Sequence, residues 1–214
     1  DATGSAEIWE NTASLAIEKT ADRYEHSIGA PDQDSGAITY AIVVKNTEEG
    51  TIANNVIVSD ESLPEGLKIK RTSEGDPMVD IAGAPESVAY PIGTADDAQG
   101  QTEQREVTCA TESAGTGFKT LISHLPAGVP VTITYTCYPQ TPIAGWEIEN
   151  TATVSADNAS PKRDSALVWL NQPKLKVEKT ASPGSYSVGD LAAYRIKVTN
   201  DTPGTLGRNL VISD

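Results

Sequence analysis

The chain repeats itself, and the repeat limits what it can fold into. Leu15-Ala-Ile-Glu-Lys-Thr-Ala21 returns as Leu175-Lys-Val-Glu-Lys-Thr-Ala181, and the stretch from Ile38 to Asp60 aligns without a gap on Ala192 to Asp214. Within that alignment Tyr40 matches Tyr194, Asn46 matches Asn200, Gly50-Thr51 matches Gly204-Thr205, and Ser59-Asp60 matches Ser213-Asp214. A fainter echo pairs Glu7–Ala13 with Glu147–Ala152, one residue being inserted. Self-similarity at a long period marks consecutive structural units. Residues 1–13 therefore read as the last strand of a preceding unit, 14–170 as one complete unit, and 173–214 as the first strands of the next. The polar segment 155–164 reads as a turn or linker before a last strand at 166–170, and Pro173 marks entry to the following unit. First strands alone cannot bury a core. Either the chain is a piece of a longer array, or a strand from another copy completes the unit.

Each unit reads as all-β. Val, Ile, Thr and Ala carry most of the apolar content, no stretch keeps a helical apolar period, and Gly, Pro, Asn, Asp and Ser punctuate the chain throughout. Strands are predicted near 14–20, 38–46, 53–60, 66–70, 104–110, 117–123, 129–138, 147–155 and 165–170. The Gly-, Pro- and acid-rich stretch 71–103 is an ornamented loop or a set of short edge strands, and a loop of that length is a candidate contact surface.

Strand alternation sorts side chains by face. Val107 leads to Cys109, and Val131, Ile133 and Tyr135 lead to Cys137, so both cysteines fall on apolar rows. Two inward cysteines on neighbouring strands predict a disulfide and an oxidising compartment, the alternative being two buried thiols. Three polar residues also continue apolar rows. Lys19 follows Leu15 and Ile17, Asp60 follows Val56 and Val58, and Asn150 lies between Ile148 and Ala152. The partial repeats carry the corresponding Lys179, Asp214 and Asn11.

Burying these groups is costly unless they meet. Desolvation favours the neutral forms of amine and carboxyl, which makes the amine a nucleophile and the acid a proton carrier. Attack of Lys19 Nζ on Asn150 Cγ then expels ammonia and leaves an intramolecular isopeptide bond, with Asp60 shuttling protons. The plainer alternative is a Lys19–Asp60 salt bridge and a strand-end role for Asn150.

The ordered motifs resemble the conserved repeat domain of bacterial surface proteins. They are Lys19-Thr20, Tyr40-Ala-Ile-Val-Val-Lys-Asn46, Asp60 with Leu63-Pro-Glu-Gly-Leu67, Leu125-Pro-Ala-Gly128 and Asn150-Thr-Ala-Thr-Val154. The resemblance spans essentially the whole chain. It implies an immunoglobulin-like β-sandwich in tandem repeats. Related pilin and collagen-adhesin domains of Gram-positive bacteria order Lys, Asp and Asn for self-made isopeptide bonds, and that order falls here on Lys19, Asp60 and Asn150. One departure is clear: the family's Gly-Asp before the Tyr strand is present as Gly189-Asp190, but in the first unit the longer stretch from His26 to Gly36 replaces it.

The function expected on these grounds is a structural stalk or adhesin module of a secreted or cell-surface bacterial protein. Two alternatives are a ligand-binding domain using 71–103 against a host protein or glycan, and a fibre subunit joined to other copies by strand complementation. With 16 Lys and Arg against 30 Asp and Glu, a net charge of −14 disfavours nucleic acid and anionic membranes. No apolar run is long enough to span a bilayer. Enzymatic action on an external substrate, a cofactor and a metal are not expected. The Pro31-Asp-Gln-Asp-Ser-Gly36 stretch has the alternating acids of a calcium loop without its remaining ligands. Asn158-Ala-Ser and Asn200-Asp-Thr are glycosylation-type tripeptides.

Overall fold

The computed structural model describes residues 10–27, 36–91, 101–139, 147–182 and 185–214. The described residues form fifteen strands and no α-helix. One sheet runs β1 (Leu15–Ala21), β3 (Ile38–Asn46), β11 (Pro130–Pro139) and β5 (Leu67–Ile69), with β6 (Val79–Ala82) also pairing β11. The facing sheet runs β2 (Glu25–Ser27), β13 (Ala159–Asn171), β12 (Glu147–Ala156), β4 (Ile52–Asp60), β10 (Gly117–Pro126) and β9 (Cys109–Ala114). All pairings are antiparallel except β13 with β2.

The alternation that defined the strands also builds the core. Ile38, Tyr40, Ile42 and Val44 of β3 and Val131, Ile133 and Tyr135 of β11 are buried against Val56 and Val58 of β4, Phe118, Ile122 and Leu125 of β10, and Ala152 and Val154 of β12. The result is an all-β sandwich, as expected. Burial of such side chains contributes about 1.5–3 kcal/mol each.

Two smaller pieces flank it. β7 (Ser87–Pro91) and β8 (Thr102–Glu106) form a hairpin, so the described part of 71–103 holds short edge strands, while residues 92–100 lie outside the described residues. β14 (Leu175–Ser182) and β15 (Ala193–Asn200) pair with each other alone.

The sequence repeat is a repeat of geometry. Asn46 Nδ2 donates to Thr51 O and Oγ1 at 3.1 Å each, and Asn200 Nδ2 donates to Thr205 O and Oγ1 at 2.9 and 3.0 Å. Gly50 and Gly204 both sit at φ 73°, where only glycine is unstrained, and Asn55 and Asn209 take φ 49° and 53°.

Two expectations are corrected. The segment 155–164 holds a turn, one of the two readings, but no linker: the turn is confined to Asp157-Asn158 of the β12–β13 hairpin, and the last strand, β13, begins at Ala159 and not at 166. The register shifts so that Ser160 and Pro161 together oppose Ser155, a bulge that accommodates a proline lacking the ladder N–H. Cys109 and Cys137 do not pair. Cys137 is buried in the middle of one sheet, whereas Cys109 is exposed at the start of edge strand β9 in the other, and both are free thiols. Register places Cys109 opposite Ile122, on the apolar row as predicted, but at the rim of the sandwich. The argument for an oxidising compartment from these cysteines falls with the disulfide.

Candidate functional site: a buried Lys, Asp, Tyr and Asn chain

β1, β4, β11 and β12 each bring one polar side chain into the core. Lys19 is 3% exposed, Asp60 1% and Asn150 0%. Lys19 Nζ donates to Asp60 Oδ2 at 2.6 Å. The same carboxylate oxygen accepts the hydroxyl of Tyr135. That hydroxyl oxygen in turn accepts from Asn150 Nδ2 at 3.0 Å. The three residues singled out in the sequence thus share one buried hydrogen-bond chain, and Tyr135 is its middle link.

The surroundings are aromatic. Lys19 Nζ lies 5.1 Å from the centre of the Tyr40 ring and 5.7 Å from that of Tyr135. Tyr40 and Tyr135 stack at 5.4 Å, and Phe118 meets Tyr135 edge-on at 4.8 Å. Burial in this apolar shell pushes the Lys19 ammonium below its ordinary pKa, with the Asp60 charge opposing. Burial raises the Tyr135 and Tyr40 phenols, so both stay protonated. Asp60 Oδ1 and Asn150 Oδ1 are buried without a hydrogen-bond partner. Unpaired buried oxygens are costly and uncommon. The carbonyl left bare is the one whose carbon the lysine would attack.

β1 is also fixed from outside: its Lys19 N–H donates to Asp164 Oδ2 of β13 at 2.7 Å. Tyr135 was missed as a member of the site because its hydroxyl continues an otherwise apolar row. A phenol level with the Lys, Asp and Asn rows was the available signal.

The partial repeats differ. Lys179 and Asp214 form an ion pair, and Lys179 lies 4.7 Å from the Tyr194 ring, as Lys19 does over Tyr40, but this pair is exposed. Leu175, Val177, Ile196, Val198 and Leu210 line an open groove beside it. Asn11, matched in sequence to Asn150, takes no part in such a chain: it accepts the Ile52 N–H at 2.8 Å, as Asn171 accepts that of Leu206, and so corresponds in position to Asn171.

Other candidates settle into ordinary roles. His26 is buried, its Nε2 3.0 Å from Arg23 O, and burial holds its imidazole below the usual pKa. His124 lies 3.1 Å from Asn54 Oδ1. Tyr90, in the segment considered for ligand contact, lies under Arg105 and accepts a hydrogen bond from Asn54. Asn158 Nδ2 donates to Asn11 O and Ile52 O, and Asn200 Nδ2 to Thr205, so a glycan on either nitrogen would cost those bonds. Residues 31–35 of the calcium-like stretch lie outside the described residues.

No family model and no curated protein matches the chain. Among solved structures it is similar to BcpA, the major pilin subunit of Bacillus cereus, at 16% identity and a TM-score of 0.46, over 76% of this chain and 42% of that one. It is also similar to the full-length major pilin SpaD from Corynebacterium diphtheriae, at 14% identity and a TM-score of 0.44, over 87% of this chain and 47% of that one. The chain thus spans less than half the length of these two pilins.

Proposed function

We propose that the chain is a structural repeat of an extracellular bacterial stalk or fibre, whose complete unit closes itself with an amide bond between Lys19 and Asn150. The observation that carries this is the buried chain from Lys19 through Asp60 and Tyr135 to Asn150. The ordered motifs and the geometric repeat support the stalk setting.

The chemistry balances within the site. Asp60 takes a proton from the Lys19 ammonium across their hydrogen bond, burial having weakened the lysine's hold on it. The neutral amine attacks Asn150 Cγ, the Cγ–Nζ bond forms, and the carbonyl electrons move to Oδ1. As the tetrahedral centre collapses, the Cγ–Nδ2 bond breaks. Tyr135 stands between Asp60 and Nδ2. Once Asp60 carries the proton and the tetrahedral centre gives Nδ2 a free lone pair, the hydroxyl turns, accepts the Asp60 proton and donates its own to the leaving nitrogen, reversing both hydrogen bonds of the resting site. Ammonia leaves with the second amine proton. Nothing external is turned over; the product is the protein itself.

The test is intact mass under denaturing, reducing conditions. The chain is expected to be lighter by one ammonia, and Lys19→Ala and Asn150→Ala to restore the full mass. A full mass for the unaltered chain would remove the crosslink and leave a plain β-sandwich repeat.

The open apolar groove on β14 and β15 favours one second reading, in which a strand from another copy lies there and joins subunits into a fibre. Self-association in sedimentation, lost in Val177→Asp, is expected on that reading, and a monomer at high concentration would end it.

A further inference from the structure

Asn171, the last residue of β13, is 7% exposed, and each polar atom of its side chain is engaged. Its Oδ1 accepts the Leu206 N–H at 2.9 Å, and its Nδ2 donates to Leu206 O at 3.3 Å and to Glu25 Oε1 at 2.9 Å. Two residues earlier, Trp169 Nε1 donates to Gly204 O at 3.1 Å. The other Glu25 oxygen pairs with Arg208 Nη2 at 2.7 Å. Thr205, between these contacts, is 8% exposed. Glu25, Trp169 and Asn171 belong to the first unit and residues 204–208 to the second. Only residues 172–174 separate β13 from β14.

The N–H half of this contact recurs one unit earlier. Asn11 Oδ1 accepts the Ile52 N–H at 2.8 Å. Ile52 is the counterpart of Leu206 in the gapless alignment, and Asn11 stands to Leu15 in sequence as Asn171 stands to Leu175. Trp9-Glu-Asn11 repeats the spacing of Trp169-Leu-Asn171. The receiving loops match in backbone: Gly50 and Gly204 share φ 73°, and the Asn46 and Asn200 side chains hold them closed by the same bonds.

We propose that the loop at 50–52, and its counterpart at 204–206, is a docking surface for the asparagine that ends the preceding repeat, Asn11 and Asn171 respectively, with Trp169 adding a bond at Gly204, and that together they form a joint that fixes the angle between units. At Leu206 the Asn171 amide satisfies both backbone groups of one residue, as a strand neighbour would, while at Ile52 Asn11 accepts the N–H and Asn158 Nδ2 donates to the carbonyl, so each joint has a defined register where a flexible linker has none. β2, which overlaps the start of the stretch replacing the Gly-Asp motif, reinforces it: β2 lies parallel beside the end of β13 and supplies Glu25 to both Asn171 and Arg208. The proposal rests on reading the chain as consecutive repeats and needs no crosslink.

Nuclear magnetic resonance on the full chain tests it. Relaxation of backbone amides should give one rotational correlation time for residues 38–60 and 193–200, and a shorter time for 193–200 would overturn the joint. Asn171→Ala should speed exchange of the Leu206 amide by about fivefold or more and separate the two correlation times. Asn11→Ala should speed exchange at Ile52 by a similar factor. Unchanged exchange at Leu206 and Ile52 in folded variants would overturn the docking role. Should a variant fail to fold, the correlation times of the unaltered chain decide. A missing ammonia deficit would count against the crosslink alone, so the two proposals fail separately.

Discussion

At the residue scale the core is organised around four polar side chains that only make sense together. Removing Asp60 leaves Lys19 buried beside two aromatic rings without its counter-charge, and breaking a buried pair in this way costs about 3–5 kcal/mol. Tyr135→Phe is milder: Asp60 and Asn150 lose the link between them, yet the lysine keeps its partner. Tyr135→Phe is therefore expected to slow appearance of the ammonia-deficient species by about a hundredfold, in the range of a lost proton relay, without abolishing it. A refolding time course followed by mass reads this, and an unchanged rate would remove Tyr135 from the proton path.

The lysine also sets a pH dependence that can be isolated by blocking the bond with Asn150→Ala. Its pKa in the folded state lies below the 10.5 of the unfolded chain, because burial outweighs Asp60. Between those two values the unfolded state binds the extra proton, so the lysine's contribution to stability rises with pH through that window and levels off above 10.5. Burial raises the pKa of Tyr40, Tyr135 and Cys137, which act in the opposite sense as the unfolded chain ionises. The lysine's part is therefore read by difference: in urea unfolding across the alkaline range, Asn150→Ala should gain stability relative to Asn150→Ala with Lys19→Met as pH rises toward 10.5.

At the element scale the end of β4 is where sequence and packing constrain the site most tightly. A Cβ on Gly117, the first residue of β10, would lie 1.8 Å from the carbonyl oxygen of Asp60, so only glycine lets β10 pass that strand end. Gly117→Ala should force β4 aside, lower stability by about 1–3 kcal/mol and slow crosslinking, since it moves the aspartate without touching its side chain. Thermal melts and the same mass time course measure both effects. Strands with one buried face were legible in the sequence because β3, β11, most of β12 and β4 from Val56 onward alternate between core and surface. The first half of β13 was not legible, because Ser160 to Arg163 is exposed and carries no apolar period. Lys19, Asp60 and Asn150 were legible as polar breaks in apolar rows. Cys109 misled because alternation gives the face of a residue but not its distance from the rim of the sheet.

At the scale of the whole molecule, the bond proposed between Lys19 and Asn150 joins strands of opposite sheets, across the core. Tension entering at β1 would pass through that amide into β12 and out along β13, its hairpin partner. Residues 20–149 would lie inside the covalent loop and could not lengthen however completely the sandwich came apart. The backbone bond from Lys19 N to Asp164 Oδ2 ties β1 to β13 independently of the proposed amide. Single-molecule pulling from the two termini therefore has a sharp expected outcome. The unaltered chain should release no length from residues 20–149, whereas Lys19→Ala should release it in one cooperative step. Full extension of the unaltered chain would show that the sandwich bears force through its hydrogen-bonded ladders and packing alone.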